Sequence, residues 1–286
     1  MIGAATRLLA LLGNPVGHSL SPRIQNAAIE SMGLDGAYLA LRCEASDVAG
    51  LLRGIARAGG GGNVTLPHKE EAARTVDHPT DVVRLTGACN TFWSDGGRIC
   101  GDNTDVQGFR GAVETLLGEP ASGRKVLLLG AGGAARAALI GLLEDEVDEV
   151  VVWNRTLAKA EMLVEALGAG RARTAASLES VTEVPFELVV NSTSLGLADA
   201  DPLPIELEVL REPAPVLDLV YRPTETRLVR RARELGMPAA DGGEMLVRQG
   251  AEAFQRWWDR APPLPVMRDA LEEVRRDATP EPLHEE

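Results

Sequence analysis

An α/β fold with a Rossmann-like, doubly wound sheet in its second half is predicted by three observations. Strand-like and helix-like patterns alternate along all 286 residues. The run Lys125-Val126-Leu127-Leu128-Leu129 is almost continuously apolar, as a central parallel strand covered on both faces must be. It leads into Gly130-Ala131-Gly132-Gly133-Ala134-Ala135 and an alanine-rich stretch. Strand, glycine turn and helix follow one another in the order a dinucleotide site requires.

The elements follow in order. Leu8–Leu12 is apolar and stops at Gly13-Asn14-Pro15, so it reads as a buried strand. A helix is predicted from Pro22 to Ser31, with Ser21 as N-cap, Pro22 at the first helical position and Gly33 past its end. Ala37–Leu41 is the next strand. Asp47–Ala58 is a helix with Ser46 as N-cap, closed by the four glycines at 59–62. Asn63-Val64-Thr65 is a short strand, Lys69 opens a helix, and Gly108–Leu117 is another. A turn at Pro120-Ala121-Ser122-Gly123 precedes the second unit. There the strands are Lys125–Leu129, Val150–Trp153, Leu188–Val190 and Val216–Val220, with helices to Leu143 and over Leu157–Leu167. Beyond Gly242-Gly243 the pattern is helical to Arg276, and residues 277–286 are expected to be a flexible tail.

Composition narrows the function classes. The net charge of −13 disfavours nucleic acid and anionic membranes as partners. Cys43, Cys89 and Cys100 contain no Cys-x-x-Cys pair, and the four histidines have no metal-ligand spacing. No metal site and no disulfide framework are expected. Leu8–Leu12 is too short for the apolar core of a signal peptide, and no transmembrane stretch is evident. The expected setting is cytoplasmic.

Gly130, Gly132 and Ala135 fit the G-x-G-x-x-G/A fingerprint. The first glycine permits the turn, the second lets the backbone approach a pyrophosphate, and a small third residue lets helix pack on strand. NAD sites place an acid at the end of the second strand, to accept from the ribose 2′-hydroxyl. Here Asn154-Arg155-Thr156 stands there, with Lys159 close by. Cations at a helix start oppose the helix dipole and ask for an anionic partner. A 2′-phosphate meets that demand, because a guanidinium binds it with charge-assisted hydrogen bonds. NADP is the expected cofactor.

Ser19 and Ser21 lie at a predicted helix N-terminus, where amides and the positive dipole end suit a carboxylate. Ser21 acting only as a cap is the alternative. Asn63, Thr65, Asn90 and Asp105 are short polar residues beside glycines or strand ends, suited to hydroxyl recognition. Turn chemistry is the plain alternative for Asn90-Thr91 and Asn103-Thr104.

These segments resemble the shikimate dehydrogenases. The resemblance runs from Leu12 to Trp257. It is carried by Ser19-x-Ser21-Pro22, Asn63-Val64-Thr65-x-Pro67-x-Lys69, Asn90-Thr91, Gly101-x-Asn103-Thr104-Asp105-x-x-Gly108-Phe109, the glycine turn and Asn154-Arg155-Thr156. Asn191-Ser192-Thr193-Ser194-x-Gly196, Asp218-x-x-Tyr221-x-Pro223-x-x-Thr226 and Gly243-x-Met245-Leu246-x-x-Gln249-Gly250 continue it. Two positions depart from the pattern: Gln25, where the family usually has His, and Leu197, where a methionine against the nicotinamide is common.

The resemblance implies an NADP-dependent, reversible reduction of 3-dehydroshikimate to shikimate, with Lys69 and Asp105 as the catalytic pair. It assigns the substrate carboxylate to Ser19, Ser21 and Tyr221, and ring hydroxyls to Asn63, Thr65, Asn90, Asp105 and Gln249. It assigns the cofactor to Gly130, Ala131, Gly132, Gly133, Ala134 and Ala135, to Asn154, Arg155, Thr156 and Lys159, and to Thr193 and Gly243. It also implies a discontinuous α/β substrate domain, residues 1–106 completed by helices over 243–276, around a nucleotide domain at 107–242, with the active site in the cleft between them. A monomer or homodimer is expected. Two alternatives remain: a quinate/shikimate dehydrogenase using NAD, and a non-catalytic NADP-binding regulatory relative. Arg155 argues against the first, and retention of both Lys69 and Asp105 against the second.

Overall fold

The computed structural model describes residues 2–278. The chain opens with β1 (Arg7–Gly13), α1 (Ser21–Ser31), β2 (Gly36–Arg42), α2 (Ala45–Arg57), β3 (Gly61–Val64) and α3 (Lys69–Thr75). It continues through β4 (His78–Pro79), α4 (Asp81–Thr86), β5 (Thr91–Asp95), β6 (Arg98–Asp102) and α5 (Asp105–Leu117). Next come β7 (Lys125–Leu129), α6 (Gly133–Glu144), β8 (Glu149–Trp153), α7 (Leu157–Leu167), β9 (Ala172–Thr174), α8 (Leu178–Thr182) and β10 (Leu188–Asn191). After a short 3-10 turn at Leu207–Val209 the chain forms β11 (Val216–Asp218), α9 (Arg227–Glu234), β12 (Ala239–Ala240), α10 (Gly243–Trp258) and α11 (Leu264–Ala278). Two compact units result. Among the described residues, one holds 2–108 together with Leu246–Ala270; the other holds Phe109–Met245 and residues 271–278.

The first unit is built on a mixed six-stranded sheet, β2-β1-β3-β5-β6-β4. β1 pairs in parallel with β2 and β3, whereas β3–β5 and β5–β6 are antiparallel. Leu12, Val48, Leu52, Val64, Phe92 and Ile99 pack into one buried cluster between sheet and helices. Register places Asn63 opposite Thr91, and Thr91 opposite Asp102. Polar residues from three strands are thereby gathered at one point.

The second unit is a six-stranded, wholly parallel sheet, β12-β11-β10-β7-β8-β9. Side chains alternate across a strand, and here both faces are buried. Val126 and Leu128 enter a cluster with Phe109, Ala138 and Leu163, while Leu127 and Leu129 enter another with Val181, Phe186 and Leu228. The continuous apolar run of β7 is the direct consequence of two covered faces.

Several local expectations are corrected. Ser21 does not cap α1; the N-cap is Leu20, which makes no side-chain cap hydrogen bond, and Ser21 is the first helical residue. Ser46 does not cap α2 either; Glu44 does, in a reciprocal capping box with Asp47. A carboxylate at that place competes successfully with the hydroxyl two residues on. β3 begins at Gly61 and ends at Val64, so two of the four glycines are strand and Thr65 is not. β11 ends at Asp218, whose carboxylate accepts the Val220 amide at 3.1 Å, so the last two residues of the expected strand are not strand. The β5–β6 hairpin is an addition to the expected elements; Gly96-Gly97, both at positive φ, form its turn. α11 extends through Ala278, past the expected helix end at Arg276; the rest of the expected tail, residues 279–286, lies outside the described residues.

Candidate active site

Lys69 is the first residue of α3 and Asp105 the first of α5. Lys69 Nζ lies 2.6 Å from Asp105 Oδ2, with the two side chains 24% and 14% exposed. That exposure leaves the pair open to a ligand while shielding it from bulk screening. The other carboxylate oxygen, Oδ1, accepts from Asn90 Nδ2 at 2.8 Å. Asn90 is itself fixed: its Oδ1 accepts from the Thr104 amide and the Thr91 hydroxyl, both at 2.8 Å.

The predicted hydroxyl-binding residues are brought together unequally. Asn63, Asn90 and Asp105 belong to one connected network. Asn63 is buried, and its Nδ2 donates to Asn90 O at 3.0 Å and to Thr91 Oγ1 at 2.9 Å, while its Oδ1 accepts the Tyr38 hydroxyl. Both Asn63 donors are thus engaged within the protein. Thr65 is half-buried in the turn between β3 and Lys69, with its amide bonded to Leu12 O at 2.8 Å. Ser19 Oγ accepts the Ser21 amide at 3.3 Å, so Ser19 serves the start of α1 that Ser21 is expected to cap. Gln249, on α10, donates to Leu246 O at 2.8 Å. Gln25 is buried on α1 and donates to Gly250 O at 2.8 Å. Tyr221 lies in the second unit, half-buried after β11. Sequence reasoning missed Tyr38 as a member of the network, and it singled out Thr91 and Thr104 only within their Asn-Thr pairs, without a role of their own. The available signal was Tyr38, one of only two tyrosines, set within a short strand-like run.

In the second unit, Gly130 follows β7 at φ +110, and a Cβ there would meet Ser192 Oγ at 2.6 Å. Gly132 is the N-cap of α6, without any side-chain cap, and no acid occupies the first turn. Added Cβ atoms at Gly132 or Gly133 meet nothing within 4 Å. The helix therefore opens on uncovered amides in free space beside Ala131 and Ala134, a cradle matched to a pyrophosphate. At the end of β8, Asn154 Nδ2 bonds Thr156 O at 2.8 Å and holds the turn. Arg155, Thr156 and Lys159 are exposed, and no acid occupies the first turn of α7. Among the described residues neither cation forms an ion pair, so both are available to a 2′-phosphate. The donor set fits NADP.

Thr193 and Gly243 serve their own loops. The Thr193 hydroxyl donates to Asn191 Oδ1 at 2.7 Å and accepts the Leu195 amide at 3.1 Å; the Gly243 amide donates to Asp241 Oδ1 at 3.0 Å. Asn191 also donates to Asp218, whose carboxylate is fully buried and accepts from Thr226 Oγ1 at 2.7 Å. Burial outweighs these hydrogen bonds and pushes the Asp218 carboxyl up to about 6. Burial likewise pushes the Cys89 thiol up to about 12, which rules it out as a nucleophile at neutral pH. Among the described residues no group of three His, Cys, Asp or Glu side chains is placed to hold a metal ion, and no helix is long and apolar enough to cross a membrane.

Three family descriptions match the chain: "Shikimate dehydrogenase substrate binding domain" over residues 11–92, "Shikimate / quinate 5-dehydrogenase" over 113–196 and "Shikimate 5'-dehydrogenase C-terminal domain" over 242–272. The NADP(+)-dependent shikimate dehydrogenase of Bacillus subtilis is 35% identical over 93% of this chain and 96% of its own. The chain belongs to the shikimate dehydrogenase family. A second shikimate dehydrogenase (NADP(+)), from Geobacter metallireducens, is 39% identical over 93% of this chain and 96% of its own. The crystal structure of shikimate 5-dehydrogenase from Thermus thermophilus, in complex with NADP(H) and shikimate, superposes with a TM-score of 0.85. It is 39% identical and covers 93% of this chain and 99% of that one.

Proposed function

We propose that this shikimate dehydrogenase family member catalyses the NADP-dependent, reversible reduction of 3-dehydroshikimate to shikimate, a step of aromatic amino-acid (chorismate) biosynthesis. The observation that carries the reading is the ion pair of Lys69 with Asp105 at 2.6 Å, held from behind by Asn90. NADPH, when bound, supplies a hydride to the carbonyl carbon. The residues assigned to it are Gly130–Ala135 at the pyrophosphate and Asn154, Arg155, Thr156 and Lys159 at the adenosine end, with Thr193 and Gly243 shaping the adjoining loops.

Lys69 works at the substrate oxygen. Its ammonium stabilises the negative charge that develops there and donates the proton that completes the hydroxyl. In the reverse direction the neutral amine accepts that proton and passes it to solvent. Asp105 fixes the Lys69 ammonium through Oδ2 and binds a neighbouring ring hydroxyl. Ser19, Ser21 and Tyr221 are assigned to the carboxylate, and Thr65, Asn63, Asn90 and Gln249 to the remaining hydroxyls. Because both Asn63 donors are engaged internally, its contribution to substrate falls to the second lone pair of Oδ1. The three free cysteines support a reducing, cytoplasmic setting.

Quinate carries an added hydroxyl on the carbon bearing its carboxylate. A pocket closed round a flat ring leaves that hydroxyl unpaired, at a cost of ~1–3 kcal/mol. Steady-state rates with shikimate and quinate, each with NADP⁺ and NAD⁺, test the reading. Shikimate with NADP⁺ is expected to give the highest kcat/KM, about tenfold or more above quinate. Comparable efficiency with quinate and NAD⁺ would refute it.

A further inference from the structure

Behind the ion pair lies a line of buried polar side chains that all donate in one direction. Tyr38 is fully buried on β2, and its hydroxyl lies 2.7 Å from Asn63 Oδ1. A carbonyl oxygen can only accept, so the phenol is the donor. Asn63 then presents Nδ2 to Thr91 Oγ1 at 2.9 Å. Having accepted that hydrogen, Thr91 turns its own toward Asn90 Oδ1 at 2.8 Å. Asn90 presents Nδ2 to Asp105 Oδ1 at 2.8 Å, and Asp105 leaves Oδ2 for Lys69.

We propose that Tyr38 is a remote positioning residue of the reaction, setting the Asp105 carboxylate through the relay Tyr38–Asn63–Thr91–Asn90. An amide oxygen and its NH2 are nearly identical in shape, so only hydrogen-bond partners decide which way an asparagine faces. For Asn63 the phenol shares that decision with Asn90 O, which accepts from Nδ2 at 3.0 Å. Asn63 orients the hydroxyl of Thr91, and Thr91 together with the Thr104 amide holds Asn90 Oδ1. Loss of the first donor leaves a buried acceptor unsatisfied and loosens each later choice. The pairing of Tyr38 with Trp257, ring centroids 5.8 Å apart, holds the phenol in place independently of its hydroxyl.

The inference rests on the functional reading for its kinetic test but not for its spectroscopic one. Tyr38→Phe keeps the ring and its packing. It is expected to lower kcat for shikimate oxidation at least fivefold in protein of native circular dichroism, and to displace the pH profile of kcat. Thr91→Val, which breaks the relay further on, is expected to do the same, while Thr91→Ser retains activity. The double variant Tyr38→Phe/Thr91→Val should be little worse than the poorer single one, because both cut one line. Independent packing lesions would multiply instead. Wild-type kcat and pH profile in Tyr38→Phe, or multiplying effects, would overturn the relay. The side-chain amide protons of Asn90, followed by NMR with asparagine labelling, give a readout that needs no substrate. They should shift in Tyr38→Phe, and unchanged resonances would overturn the proposal whatever the enzyme turns over. Absence of shikimate oxidation in the wild type would instead strike the functional reading alone.

Discussion

Lys69 and Asp105, 36 positions apart in the chain, each open a helix and meet at 2.6 Å. A cation in the first turn of a helix opposes the dipole, whereas an anion there is favoured. The carboxylate of Asp105 compensates for the unfavourable place of Lys69. Removing it leaves a partly buried ammonium against the dipole, so the lysine is held in position by charge as well as by packing.

Lys69→Ala is therefore expected to lower turnover by ~10²–10⁴, the range of a lost general acid or base. Shikimate affinity, measured by calorimetry, should weaken far less. Turnover near wild type would make Lys69 a structural cation. Asp105→Asn should damage both affinity and turnover, since the carboxylate that orients Lys69 is also the one proposed to bind a ring hydroxyl.

Arg155 is exposed at the end of β8 and engages no acid among the described residues. Loss of a charge-assisted contact to the 2′-phosphate costs ~1.5–3 kcal/mol. Arg155→Ala should raise KM for NADP⁺ about tenfold or more and leave KM for NAD⁺ nearly unchanged. Equal effects on the two cofactors would remove Arg155 from the site.

Much of this is legible in the residues alone. The second sheet announces itself because burial on both faces makes its central strands almost continuously apolar, and β7 and α7 match their expected bounds to the residue. Lys69 is legible as a helix start. Caps are read less well, because Glu44 competes with Ser46 for the same amides and only geometry decides. The β5–β6 hairpin escapes because Ser94, Asp95 and Arg98 dilute its apolar pattern. The relay from Tyr38 is invisible for a different reason. It depends on the register that sets Asn63 opposite Thr91, which local sequence does not express.

Two glycines of one fingerprint should fail in different ways. Gly130 sits at φ +110, which side-chain-bearing residues rarely adopt, and its Cβ would collide with Ser192. Gly130→Ala should lower the melting temperature by several degrees, as a strain of ~1–3 kcal/mol implies. Gly132 has extended dihedrals and open space round its missing Cβ. Gly132→Ala should melt like the wild type yet bind NADP⁺ less tightly, because the methyl group enters the space proposed for the pyrophosphate. A calorimeter reads both quantities. Normal NADP⁺ affinity in Gly132→Ala would displace the phosphate site from α6.

Asp218 links β10, β11 and α9 while buried at 0% exposure, and its carboxyl is raised from 3.8 to about 6. Desolvation is the main cause, and the hydrogen bonds from Thr226, Asn191 and Val220 only moderate it. The folded state thus holds this proton more tightly than the unfolded one. Between the two values the native protein binds more protons, so stability falls as pH rises and levels off above the folded value. The integrated loss is roughly 3 kcal/mol. Asp218→Asn keeps an acceptor for Asn191 and Val220 and offers Thr226 a donor, without the charge. Its stability relative to wild type should improve from pH 4 to pH 7.5, as followed by urea denaturation. Parallel stability curves for the two proteins would show that Asp218 ionises as freely when folded as when unfolded.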